Sequence, residues 1–247
     1  MNLPNSYNPK THLLKKTTEN GTFHESRGGS GFARRLLENG HPDDVSLAHK
    51  VLEATLACQE TRENDPHYGN FFWMAEDDFV GDLNAVEFCL ESMIPMMMDY
   101  SDKLEPEMRE RVLDAIRLGL NEIARLDVRV SYSNITMLDI LNTCLGGELL
   151  VDEKIAQRGY DKLNAWIEYT DRSGTPREYN SPTYTRVCVN ALGKLSRYLA
   201  NEEARIRART FAARIGITVG LHIHPATGRW AGPHSRAYHP TVICEGP

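Results

Sequence analysis

The chain has 247 residues, with 28 Lys+Arg against 34 Asp+Glu and a formal net charge of −6. Hydrophobic residues at 41% and charged residues at 25% are those of an ordinary globular protein, which excludes low-complexity, collagen-like and disulfide-scaffold chains. The acidic balance argues against a general nucleic-acid binder, which needs a basic face to displace counterions.

No run of about 18 apolar residues occurs, so no membrane span is expected, and Met1 to Thr18 lack the apolar stretch of a secretory signal. Five cysteines (Cys58, Cys89, Cys144, Cys188 and Cys244) are scattered without a CxxC pair, and the four that sit among apolar residues read as small buried thiols. The expected compartment is reducing and cytoplasmic, or secreted or periplasmic if a leader is missing.

Residues 1–41 read as a loosely structured arm, six basic against three acidic, broken by Gly28-Gly29-Ser30-Gly31. That glycine run lacks the Lys-Ser/Thr of a phosphate loop. From Pro42 the pattern is helical. Asp43 or Asp44 can cap a helix to about Glu63 with Ala48, Val51, Leu52, Thr55 and Cys58 on one face. Asp82 can cap a helix over 83–100 that contains Pro95. Pro106 suits the first turn of a helix over 105–126, whose stripe is Met108, Val112, Ala115, Gly119, Ile123 and Leu126. Further helices are predicted over 134–149, 153–171 and 184–199, and a seventh starts from the good cap Asn201. Seven helices joined by loops of mixed length argue for an all-α domain over 42–247, built of antiparallel helix hairpins.

Polar residues gather in the loops 64–82, 127–134, 172–184 and 222–240, where scaffolded chemistry usually sits. His67-Tyr68-Gly69-Asn70-Phe71-Phe72-Trp73, followed by Glu76-Asp77-Asp78 and Asp82, is either a sugar-stacking wall or a loop pinned by its own aromatics. Asn134, in Ser131-Tyr132-Ser133-Asn134-Ile135, is either a helix N-cap or an amide donor into a cleft. Arg177-Glu178-Tyr179-Asn180-Ser181-Pro182-Thr183-Tyr184 mixes carboxylate, amide and phenols before a helix. Glu178 there could serve a hydrolase as general acid or base, although no second carboxylate at a definable separation accompanies it. Gly232-Pro233-His234-Ser235-Arg236-Ala237-Tyr238-His239 supplies a base, an anion clamp and a phenolic proton carrier. His222 and His224 lack a third ligand, so no metal and no cofactor are expected.

Gly-Asn-Phe-x-Trp, Asp-x-Asn-Ala-Val-Glu-Phe, Tyr-Ser-Asn-Ile, Glu-Tyr-Asn-Ser-Pro-Thr-Tyr and Ala-Gly-Pro-His-Ser-Arg-Ala-Tyr occur in that order. Together, from about Val45 to Tyr238, they resemble the helical-toroid proteins related to alginate lyases and heparinase II/III-type polysaccharide lyases. The resemblance implies an (α/α) toroid and β-elimination on a uronic-acid polysaccharide, an acidic partner. It implies that Asn134 neutralises the uronate carboxylate, that His234 is a base or second neutraliser and that Arg236 clamps the carboxylate. Tyr238 would move the proton, with Tyr184 as the alternative. Asn70, Trp73, Glu178 and Tyr179 would shape sugar subsites. About seven helices make an incomplete toroid: a second copy or a missing C-terminal part closes the ring, or the arc stands open. The alternatives are a non-catalytic carbohydrate-binding protein and a glycoside hydrolase using Glu178 with Asp77 or Asp78.

Overall fold

The computed structural model of the chain describes residues 2–238. Among them are eight α-helices and one two-stranded sheet, so the all-α expectation holds. The chain divides into two compact units, residues 1–127 and 128–247. The expected domain over 42–247 spans the boundary between these units. The boundary follows the end of a long helix at Asp127, a residue in the left-handed region (φ 40°).

The first unit begins with an antiparallel hairpin, β1 (Leu14–Thr18) and β2 (Gly21–Glu25), in which Leu14 pairs with Glu25. Helices α1 (Arg27–Asn39), α2 (Pro42–Leu56), α3 (Ala85–Tyr100) and α4 (Pro106–Leu126) follow. The loose arm expected over 1–41 is therefore structured for most of its length. The three glycines of α1 weaken any helical signal, but packing requires one of them, Gly29. A Cβ on Gly29 would lie 1.9 Å from Thr55 Oγ1 of α2, so glycine lets α1 approach closely. Phe32, Ala33, Leu36 and Leu37 of α1 are fully buried. Helix α2 stops at Leu56, seven residues before the expected Glu63. There the chain turns so that Gln59 can donate to the carbonyls of Gly69 and Ala115, both at 2.9 Å.

The second unit contains α5 (Ser133–Leu150), α6 (Glu153–Ser173), α7 (Tyr184–Tyr198) and α8 (Glu202–Leu221). Every residue of α5 from Ser133 to Gly147 is buried, as expected of a helix that is apolar nearly all round. Helices α6 and α7 both pack on it, and α8 packs on α7. Caps are legible: Asp152 accepts from the amides of Lys154 and Ile155, and Asn201 accepts from that of Ala204. The two-residue link from Leu150 to Glu153 makes α5 and α6 an αα-hairpin. Its helices meet through small residues. A Cβ on Gly147 would fall 2.4 Å from the Ala156 nitrogen, and one on Gly159 2.6 Å from the Cys144 nitrogen. Buried Asp139 is compensated from α6 by Arg158 (2.6 Å) and Lys162 (2.7 Å). No helix among the described residues is long and apolar enough to cross a membrane.

Cys58, Cys89, Cys144 and Cys188 are buried, free thiols. Burial pushes the thiols of Cys58, Cys89 and Cys188 up to about 12, which leaves them protonated and inert at neutral pH. Cys244 lies outside the described residues.

Gly159→Ala should cost about 1–3 kcal/mol in urea unfolding, because the obstacle is backbone that cannot rotate away. Gly216→Ala, on a face of α8 where a Cβ meets nothing within 4 Å, should instead add about 0.5–1 kcal/mol.

Candidate functional site

The loops before α5 and α7 and the segment after α8 converge in the second unit on one buried carboxylate, that of Glu178. The backbone amide of Asn134 donates to its Oε2 at 2.8 Å, and Asn134 Nδ2 donates to both oxygens at 2.8 Å. Arg236 Nη1 donates to Oε1 at 2.5 Å. Asn134 is the second residue of α5 rather than its cap, so its amide belongs to the N–H groups that an isolated helix leaves unsatisfied. A carboxylate there also meets the positive end of the helix dipole.

Arg236 spreads its fork over two phenols. Nε donates to the Tyr238 hydroxyl at 2.6 Å, and Nη2 to the Tyr184 hydroxyl at 2.9 Å. The two hydroxyls hydrogen-bond each other at 2.9 Å. The guanidinium carbon lies 4.3 Å from the Tyr184 ring centroid and 5.9 Å from that of Tyr132, within cation–π range. Burial and the Tyr238 hydrogen bond push the Tyr184 phenol up to about 12, against the pull of Arg236. Desolvation opposes the Arg236 charge, but its bonds to Tyr238 and Glu178 and the attraction of Tyr184 outweigh it. Arg236 (φ 44°) and Tyr238 (φ 59°) both occupy the left-handed region, which costs a non-glycine residue of order 1–2 kcal/mol.

Asn180 holds the C-terminal segment in place. It is itself left-handed (φ 50°), and its Nδ2 donates to the carbonyls of Ala231 (2.8 Å) and Pro233 (3.1 Å). His234 sits between two carbonyls, with Nδ1 2.8 Å from that of Asn180 and Nε2 3.1 Å from that of Trp230. A ring nitrogen facing a carbonyl oxygen can only donate to it. Tyr179 donates to His222 Nε2 at 2.7 Å, and the opposite ring nitrogen of His222 faces the Thr218 carbonyl at 2.7 Å. The phenol of Tyr179 and both nitrogens of His222 are thus engaged inside the unit.

Asn134, Glu178, Tyr184, Arg236 and Tyr238 therefore form one connected network. Asn134 enters it through Glu178, and its amide is buried. Asn70 and Trp73 belong to the first unit. Asn70 is fully buried; its Oδ1 accepts from the amides of Phe71 (2.7 Å) and Val86 (3.1 Å), and its Nδ2 donates to the Leu83 carbonyl and Glu122. It caps the start of α3 from a distant loop, the role expected of Asp82. Trp73 is half-buried, with Arg27 over its ring at 4.9 Å and the Phe88 ring edge-on at 5.6 Å.

Beside Glu178 lies an open cleft lined by Ser131, Tyr132, Arg177, Glu178, Ser235 and Arg236. Sequence reasoning missed Arg177, Ser131 and Ser235 as lining residues. Their signal was proximity to assigned neighbours: Arg177 precedes Glu178, and Ser235 lies between His234 and Arg236. The unit holding the cleft is basic. Residues 128–247 carry 15 Lys+Arg against 11 Asp+Glu (net +4), whereas residues 1–127 carry 13 against 23 (net −10). The overall −6 hides this asymmetry.

The chain belongs to the family described as "Domain of unknown function (DUF8769)", which it matches over residues 2–242. No curated protein and no solved structure matches it.

Glu178→Gln would turn one acceptor into an N–H facing the donors of Asn134 and Arg236. Trypsin should then cut after Arg236 several-fold faster than in the wild type, while cleavage after Arg172 stays unchanged. Equal rates at Arg236 would show that the carboxylate does not anchor this segment.

Proposed function

We propose that the chain is a polysaccharide lyase-like enzyme that performs β-elimination on a uronic-acid-containing polysaccharide. The observation that carries this reading is a guanidinium hydrogen-bonded to two phenols that also bond each other, beside an open cleft in a basic unit.

The chemistry needs these groups. The C5 proton of a uronate becomes removable only when its carboxylate charge is offset, so that an enolate-like intermediate can form. Tyr238, 65% exposed and held by Arg236, is placed in the reading as the base for that proton. Tyr184, whose raised pKa keeps its proton at neutral pH, is the donor to the leaving C4 oxygen. The C5–H and C4–O bonds break, a C4–C5 double bond forms, and the proton gained by Tyr238 can return to Tyr184 along their hydrogen bond. Asn134 supports the site by fixing Glu178, and His234 by holding the segment that carries Arg236. Neither then needs to touch substrate.

A panel of uronans should yield a product with the absorbance of an unsaturated uronate, near 232 nm. Tyr238→Phe should abolish that signal while oligouronate binding persists, because only the phenolic proton is lost. Release of reducing ends without the chromophore would identify a hydrolase and refute elimination.

A further inference from the structure

The two guanidiniums lining the cleft differ in what they have left to donate. An arginine carries five N–H donors. Arg236 directs Nε, Nη1 and Nη2 at Tyr238, Glu178 and Tyr184, so every nitrogen of its fork already has a partner inside the protein. Arg177 is exposed, lines the same cleft, and has no hydrogen bond or ion pair among the described residues. Its sequence neighbour Glu178 is already occupied by Asn134 and Arg236. In the same lining, the buried Ser235 hydroxyl has no hydrogen-bond partner among the described residues, a state that costs about 1–3 kcal/mol unless something fills it.

We propose that Arg177 is the carboxylate-binding residue of this cleft, with the Ser235 hydroxyl as a second contact, and that its ligand is a saccharide bearing a carboxylate. The inference deepens the lyase reading and rests on it only for the nature of the saccharide. It moves recognition of the acid group from Arg236, which the resemblance implies, to an arginine whose planar fork is free for bidentate pairing. Arg236 is left to hold the two phenols.

Calorimetric titration of the full chain tests this with three probes: a purified uronate tetramer, the same tetramer with its carboxyls reduced to alcohols, and inorganic sulfate. The wild type should bind the uronate tetramer, and Arg177→Met should weaken that binding by about tenfold or more. Arg177→Lys should recover only part of the loss, since an ammonium keeps the charge without the fork. The reduced tetramer should bind the wild type no better than the uronate binds Arg177→Met. Unchanged uronate binding by Arg177→Met overturns the assignment, as does a wild type that ignores the uronate tetramer. Sulfate competing as well as the tetramer also overturns it, because the site would then take any oxyanion. Elimination is read separately, by ultraviolet absorbance of the product. Arg177-dependent binding without that product refutes the lyase reading and supports the carboxylate site.

Discussion

The carboxylate of Glu178 is buried, and a buried charge persists only where it is paired and hydrogen-bonded. Three separate stretches of chain meet that demand together. The start of α5 gives a backbone amide and the Asn134 side chain; the loop before α7 carries Glu178 itself; and the segment after α8 returns Arg236. Removing a partner from a fully buried pair costs about 3–5 kcal/mol. Arg236 is 41% exposed, so solvent screening brings this pair below that range. The interaction still ties the candidate site together, because irregular segments have few other means of holding a fixed arrangement.

What Glu178 holds, α5 keeps rigid. The helix is buried on every side, so its N-terminus cannot shift without disturbing α6 and α7. Gly147 and Gly159 bring the backbones of α5 and α6 within a distance that excludes a methyl group. Asp139 fixes the same pair of helices electrostatically, through Arg158 and Lys162. A close-packed interior of this kind resists small displacements. The Asn134 amide therefore offers Glu178 a firm reference point.

The helices were legible wherever apolar spacing and a cap agreed, as at Pro106 and Asn201. They were misread wherever tertiary contact overrode local signal. Gly28-Gly29-Ser30-Gly31 reads as a flexible break, yet it lies in α1, and Gly29 is what lets that helix approach Thr55 of α2. Asp82 has the local chemistry of a cap, but Asn70, fifteen residues before the first residue of the helix and buried, accepts from Val86 instead. The residue types of the site were legible for a related reason: a carboxylate, an amide, two phenols and a guanidinium clustered in loops are hard to explain by packing alone. Their partners were not legible. Nothing in the spacing of Asn134 and Glu178 says that one binds the other across 44 positions, or that this pairing engages the Asn134 Nδ2 before any ligand arrives.

Hydrogen counting gives the network a direction. Arg236 can only donate, so each phenol oxygen accepts one bond from it. With both phenols neutral, one hydroxyl hydrogen bridges Tyr184 and Tyr238, and the other is left over. That spare hydrogen has no partner in the network and is free to meet a ligand. Burial and the hydrogen bond with its neighbour push the Tyr184 phenol up to about 12, so it keeps its proton at neutral pH. Tyr238 is the more exposed of the two, and its oxygen can accept from both Arg236 Nε and the Tyr184 hydroxyl. An ionised Tyr238 would thus receive two hydrogen bonds, one of them charge-assisted. The pair is asymmetric in its surroundings, with an inner phenol held protonated by burial and an outer one, more exposed, that can accept from two donors.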